Sequence, residues 1–195
     1  MTTPAETPLP FLGGYPEQLL APVRLALAEG TLGEHLQRRY PEAHGIRSDT
    51  LLYEHAAALK QRHLRHAGPL AKVVFDNRLQ LDHRALGTLT TVSRVQGGNL
   101  KSKREIRISA VFKQAPAQML EMILVHELAH LKEREHDKAF YGLCQHMLAD
   151  YHQLEFDTRL YLTWLAAQRP ASVSQTPPAS ALPAEPEPSG PGPAR

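Results

Sequence analysis

The chain of 195 residues contains a single cysteine, Cys144. One cysteine excludes a disulfide framework and any zinc ribbon built from four thiolates, and it fits a reducing compartment. No uncharged apolar run approaches the ~20 residues that a membrane span requires. Residues 1–6 also lack the basic start and the apolar stretch of a secretion signal. We therefore expect a cytoplasmic protein that has no membrane partner.

The chain also lacks a strong charge of either sign, since its formal net charge is only +2. Composition therefore gives no strong argument for nucleic acid or a membrane surface as a partner. Hydrophobic residues make up 42% of the chain and charged residues 22%, which is typical of a globular protein with a real core.

Proline is concentrated at the two ends of the chain, with four prolines in residues 1–16 and eight in residues 170–195. We expect residues 1–16 to form an extended arm. Residues 170–195 contain no aromatic residue and cannot bury a core, so this tail should be disordered. The remaining chain, 17–169, is expected to form one domain.

The pattern of apolar residues predicts helices first, then short strands, then helices again. Residues 17–66 read as an N-terminal helical extension, with Thr31 and Glu34 as a predicted capping box. The elements predicted after it are strands at 70–75, 86–92 and 104–111, a helix opened by Pro116, a helical element from about 136 to 150, and a last helix at 154–167. This order predicts an α+β fold.

One motif carries chemistry, the run of residues from His126 to His130 with the sequence His-Glu-Leu-Ala-His. Two histidines four residues apart are separated by about 400° of helical rotation, so they point the same way. That spacing allows one zinc ion to bind both imidazoles, with Glu127 beside the metal. A chain of this length and composition contains the motif by chance with a probability of about 0.04. The residues around the motif must therefore support the assignment.

The helix that carries the motif is apolar on both sides. Methionines, an isoleucine and an alanine share one side with the two histidines, and four leucines lie on the other. A helix of this kind is buried by layers above and below it. Buried polar groups need partners, because each costs a few kcal/mol without one. Metal ligation would provide them, and hydrogen bonds from His126 and His130 to carbonyls or carboxylates are the structural alternative.

His136 is the predicted third ligand. On an unbroken helix it would lie about 80–120° around the axis from the first two histidines and about 9 Å further along, too far to share one ion. We therefore predict a chain break between Leu131 and His136, after which the next helix begins. The alternative third ligand is a downstream acidic residue: Asp150, Glu155 or Asp157. Imidazole suits zinc, which favours His136.

The residues around the motif resemble the YgjP-like metallopeptidases, which are relatives of the SprT-like zinc proteases. The resemblance rests on the apolar helix at 123–131, on His136 at its offset, and on the aromatic pair within 138–141. It implies a zincin-like fold, in which a small sheet packs on the motif helix between an N-terminal helical region and a C-terminal helix.

The resemblance also implies a set of site residues. Zn²⁺ is the implied cofactor, with Glu127 as the catalytic residue and with three ligands: His126, His130 and His136. The family's Trp-Gly-Ser-Cys segment has only one near match here, at residues 86–88, and that match lacks both the tryptophan and the cysteine.

Two functions from different classes follow. The first is a zinc-dependent metallopeptidase, in which zinc lowers the pKa of a water molecule toward ~7 and Glu127 accepts its proton. The predicted strand at 104–111 could pair with an extended peptide or protein substrate. The alternative is a non-catalytic, zinc-stabilised module that binds protein or nucleic acid. The basic segment 101–104 keeps a weak association with DNA open.

Overall fold

The computed structural model describes residues 8–79, 87–96 and 99–168. Within these ranges the order of elements confirms the predicted α+β class. The elements are α1 (Glu17–Ala28), α2 (Leu32–Arg39), α3 (Asp49–His63), β1 (Leu70–Asp76), β2 (Gly87–Gln96), β3 (Asn99–Ser109), a 3₁₀ helix (Ala110–Lys113), α4 (Ala117–Ala129), α5 (Lys138–Met147) and α6 (Tyr151–Gln168).

Local signals in the sequence explain where the first helices end and begin. Gly30 follows α1 with a φ of +73°, a conformation that glycine adopts without strain. Ser48 caps α3 by accepting a hydrogen bond from the backbone N–H of Leu51. The capping box predicted at Thr31 is wrong, because its hydroxyl donates to the carbonyl of Ala26 in the preceding helix.

The three strands form one mixed sheet with the order β1-β3-β2. β1 runs parallel to β3, and β2 runs antiparallel to it. The central strand β3 is thus paired on both sides, so the predicted pairing of this strand with a peptide substrate is wrong. It also ends at Ser109 rather than at residue 111, because a 3₁₀ helix follows directly.

The described part of the N-terminal segment differs from the predicted extended arm. Residues 8–16 make turns, and the N–H of Leu12 donates to the carbonyl of Leu9. The side chains of Phe11 and Leu12 are buried in the core, at 2% and 1% exposure. Their burial holds residues 8–16 against the domain. Residues 1–7 and the predicted disordered tail at 170–195 lie outside the described ranges.

The core is centred on α4, in which nine of 13 residues are buried. The sheet, α3, α5 and α6 all pack against this helix. The doubly apolar pattern of its sequence therefore has the predicted consequence, a helix enclosed by layers on several sides. Within the described ranges, no helix is both long and apolar enough to cross a membrane.

Candidate metal centre

The predicted chain break after the motif helix is confirmed. α4 ends at Ala129, and the N–H groups of Lys132 and Glu133 both donate to the carbonyl of Ala129 in a tight turn. Asp137 then caps α5, because its carboxylate accepts hydrogen bonds from the N–H groups of Ala139 and Phe140. The chain therefore reverses direction just before α5 and returns His136 to the motif helix.

The reversal brings three histidines together. The ligand atoms of His126, His130 and His136 all lie within 4.8 Å of one another. The Nε2 atoms of His126 and His136 are 3.1 Å apart. A tetrahedral zinc site with Zn–N bonds of about 2.0–2.1 Å separates two ligand nitrogens by about 3.3–3.4 Å. The spacing and the donor type thus fit a divalent metal such as zinc.

His126 is held by a tyrosine that the sequence analysis did not identify. The hydroxyl oxygen of Tyr151 lies 2.6 Å from Nδ1 of His126. A phenol oxygen can accept the Nδ1–H of His126, and in that tautomer the lone pair on Nε2 is directed at the other two histidines.

Burial keeps this histidine neutral. Burial, together with the neighbouring His130 and His136, lowers the pKa of His126 to about 3. Burial likewise lowers the pKa of His130, whose Nδ1 lies 2.9 Å from the carbonyl oxygen of Glu133. That carbonyl can only accept, so Nδ1 of His130 carries the proton. Both imidazoles can thus present an unprotonated Nε2 to the cluster, which is the form that binds a metal.

Phe140 packs against all three imidazoles. Its ring centroid lies 5.0 Å from that of His126, 4.6 Å from His130 and 4.7 Å from His136. The phenyl ring is fully buried and provides an apolar wall that fixes the three rings relative to one another. The aromatic pair at 140 and 141 was visible in the sequence, but its contact with the histidines was not.

Glu127 lies on the sheet side of α4 with only 3% of its surface exposed. Its carboxylate approaches the backbone of Gly87, the first residue of β2. A Cβ atom on Gly87 would lie 2.6 Å from Oε1 and 3.0 Å from Cδ of Glu127. Only a glycine leaves room for the carboxylate at this position. Gly87 is the glycine of the segment that partly matches the family's Trp-Gly-Ser-Cys.

The alternative acidic ligands are not brought to this cluster. Asp157 accepts a hydrogen bond from the Tyr40 hydroxyl at 2.5 Å and an ion pair from Arg39 at 3.1 Å, which ties α2 to α6. Glu155 is paired with Arg159 one helical turn further on. Among the described residues, the group with metal-ligand geometry consists of the three histidines alone.

The basic segment 101–104 has one described side chain, that of Arg104. Its guanidinium donates to the carbonyl of Leu131 at 3.1 Å, at the C-terminal end of α4. The positive charge of Arg104 thus lies at the negative end of the helix dipole, where it is stabilising. The predicted weak association with DNA stays a prediction.

The family model described as "YgjP-like, metallopeptidase domain" matches residues 71–158. A UTP pyrophosphatase from Escherichia coli (strain K12) is 55% identical over 158 residues, which cover 81% of this chain and 95% of that protein. No solved structure gives a significant match. The two descriptions name different reactions, and both reactions are hydrolyses.

Proposed function

The chain belongs to the YgjP-like family of hydrolases, and we propose that it is a metal-dependent enzyme that converts UTP and water into UMP and pyrophosphate. The observation that carries the proposal is the similarity to the E. coli UTP pyrophosphatase. The two chains are 55% identical, and the match covers 95% of that protein. Similarity at this level over nearly the whole relative favours the same reaction over a different one.

The three histidines are the residues that would hold the metal, and zinc is the ion that we propose. A zinc ion bound there would supply a Lewis acid and would make water a better nucleophile. Tyr151 and the Glu133 carbonyl orient His126 and His130 for this role. His136 completes the set from the turn before α5.

Glu127 is the proposed general base. It accepts a proton as water attacks the α-phosphorus, and the bond from that phosphorus to the oxygen bridging the α- and β-phosphates breaks. Pyrophosphate leaves with this oxygen, and UMP retains the new oxygen from water. The carboxylate is suited to the task because it is buried against Gly87 and has little freedom to move.

Peptide hydrolysis is the second candidate. It is favoured by the match of residues 71–158, which include all three histidines, to a metallopeptidase domain. The same donor set and base would serve it, because both reactions add water to an electrophilic centre whose oxygen gains negative charge. The strand β3 has partners on both sides, so it offers no free edge with which a peptide substrate could pair. A non-catalytic binding module is disfavoured because the relative is named as an enzyme.

A substrate panel tests the proposal. The purified protein, stripped with a chelator and reconstituted with zinc, is offered UTP, the other nucleoside triphosphates, and unfolded proteins with a peptide library. We expect pyrophosphate and UMP in equal amounts from UTP, and no product before zinc is restored. Peptide cleavage without nucleotide hydrolysis would establish the second candidate instead. Zinc binding with neither activity would return the binding module to first place.

A further inference from the structure

A row of three rings leads away from the histidine cluster along the N-terminal parts of α5 and α6. The ring centroid of Tyr141 lies 6.4 Å from that of His136, and 5.3 Å from that of His152. His136 and His152 are exposed, and Tyr141 is half-buried. The row therefore begins at the proposed metal ligand His136 and is open to solvent at both of its ends.

Tyr141 is supported from beneath by other aromatic residues. Its ring centroid lies 5.4 Å from that of the buried Phe140 and 6.3 Å from that of the buried Tyr151. These neighbours fix the tyrosine ring and leave its partly exposed surface beside His152. Phe140 itself is enclosed by the three imidazoles and offers no face to a ligand.

The geometry points to Tyr141 and His152 as the platform on which the uracil ring of the substrate stacks, an inference that rests on the proposed function. For water to attack it, the α-phosphorus must lie at the histidine cluster, and only the ribose separates that phosphate from the base. The base must therefore lie close to the cluster. The flat rings beside His136 offer it an aromatic surface, and stacking on such side chains is a general mode of base binding.

The test compares UTP with inorganic tripolyphosphate, a substrate of the same charge type that lacks a base. Both release pyrophosphate on hydrolysis, so one assay serves both. The measured quantity is the ratio of kcat/KM for UTP to that for tripolyphosphate. We expect this ratio to fall about tenfold in His152→Leu and at least as much in Tyr141→Leu, mainly through the KM for UTP.

Two controls separate stacking from folding. Tyr141→Phe keeps the ring and should keep the ratio, whereas loss of the ratio here would assign the effect to the hydroxyl group. Tyr53→Leu removes an exposed tyrosine on α3, remote in sequence from the cluster, and should also keep the ratio. His152 is exposed, so its substitution leaves the fold intact even if Tyr141→Leu lowers the Tm.

Each other outcome is decisive. An unchanged ratio in both leucine variants, with UTP still hydrolysed, overturns the platform and leaves the proposed function standing. Equal loss for UTP and tripolyphosphate also overturns it, because the defect would then lie at the metal. A wild-type protein that shows no preference for UTP over tripolyphosphate has no base subsite. A wild-type protein that hydrolyses neither removes the proposed function together with the inference.

Discussion

The Tyr151 hydroxyl, 2.6 Å from Nδ1 of His126, connects the last helix of the domain to the motif helix. Tyr151 is fully buried. The pair thus fixes the orientation of an imidazole that is itself mostly buried. A local pattern in the sequence could not reveal it, because 25 positions separate the two residues.

Replacing Tyr151 with phenylalanine removes the partner of His126 Nδ1 and keeps the ring that fills the core. We expect zinc affinity to fall about tenfold or more, the usual effect of losing the group that orients a ligand. Competition with a chromophoric chelator measures it. Tyr161→Phe, at a second buried tyrosine of the same helix, is the matched control and should leave the affinity unchanged. Equal affinities in wild type and Tyr151→Phe would show that the hydroxyl does not orient the ligand.

The contact between Gly87 and Glu127 predicts a rescue. In Gly87→Ala the new methyl group would lie 2.6 Å from Oε1, so the carboxylate must shift. We expect a loss of about 1–3 kcal/mol in the free energy of unfolding, as for other overpacked sites, and a fall in kcat. Glu127→Asp shortens the side chain, and in the Gly87→Ala background it should recover part of that stability.

The rescue is measured by a double-mutant cycle in chemical denaturation, so it does not depend on knowing the substrate. Gly45→Ala is the control, because a Cβ atom there meets nothing within 4 Å. Strictly additive effects of Gly87→Ala and Glu127→Asp on the free energy of unfolding would contradict the contact.

Two glycines in helices should respond to alanine in opposite directions. A Cβ on Gly33 would lie 2.5 Å from Nε1 of Trp164, so Gly33→Ala should lower the free energy of unfolding by about 1–3 kcal/mol. A Cβ on Gly142 meets nothing within 4 Å, so Gly142→Ala should raise it by up to about 1 kcal/mol through helix propensity. Thermal unfolding of the two variants measures both, and a shift of the same sign in both would contradict the packing of α2 on α6.

His44 predicts a dependence of stability on pH. Its Nε2 lies 2.9 Å from the carbonyl oxygen of Phe112, and its Nδ1 accepts from the N–H of Ile46 at 3.2 Å. Burial lowers the pKa of this histidine below 6.5. At a pH between this lowered pKa and the ordinary value of about 6.5 in the unfolded chain, the folded state binds fewer protons than the unfolded state. Stability therefore falls as the pH drops below about 6.5.

The effect is isolated by comparison with His44→Gln, which has no titratable group at this position. The wild type should exceed the variant in free energy of unfolding by the largest margin above about pH 6.5, and the margin should shrink as the pH falls toward 5. Wild type and variant are both measured as metal-free protein, prepared with a chelator, so that metal binding does not contribute to the free energy of unfolding. A margin that is constant across this range would contradict a neutral His44 that makes both hydrogen bonds.

The parts of the site that the sequence predicted are those written in consecutive residues. The helical spacing of His126 and His130 is local, and the break before His136 follows from it, because a third histidine reaches the same ion only if the helix ends first. Gly87 and Tyr151 were missed as site residues because β2 and α6 meet α4 only through the tertiary fold. The order of strands, which leaves β3 without a free edge, is likewise a property of the whole sheet. At the N-terminus, the prolines suggested an extended arm, but the apolar side chains of Phe11 and Leu12 are buried in the core and hold residues 8–16 against the domain.

Above all, Glu127 and the three histidines are proposed to form a hydrolytic centre for UTP. The most direct measurement is pyrophosphate release from UTP by zinc-loaded wild type and Glu127→Gln, with zinc content determined in both. We predict that the variant keeps its zinc and its fold and loses at least about 10²-fold in kcat, because glutamine cannot accept the proton. Release of pyrophosphate at the wild-type rate by Glu127→Gln, or its absence in the zinc-loaded wild type, would contradict the claim.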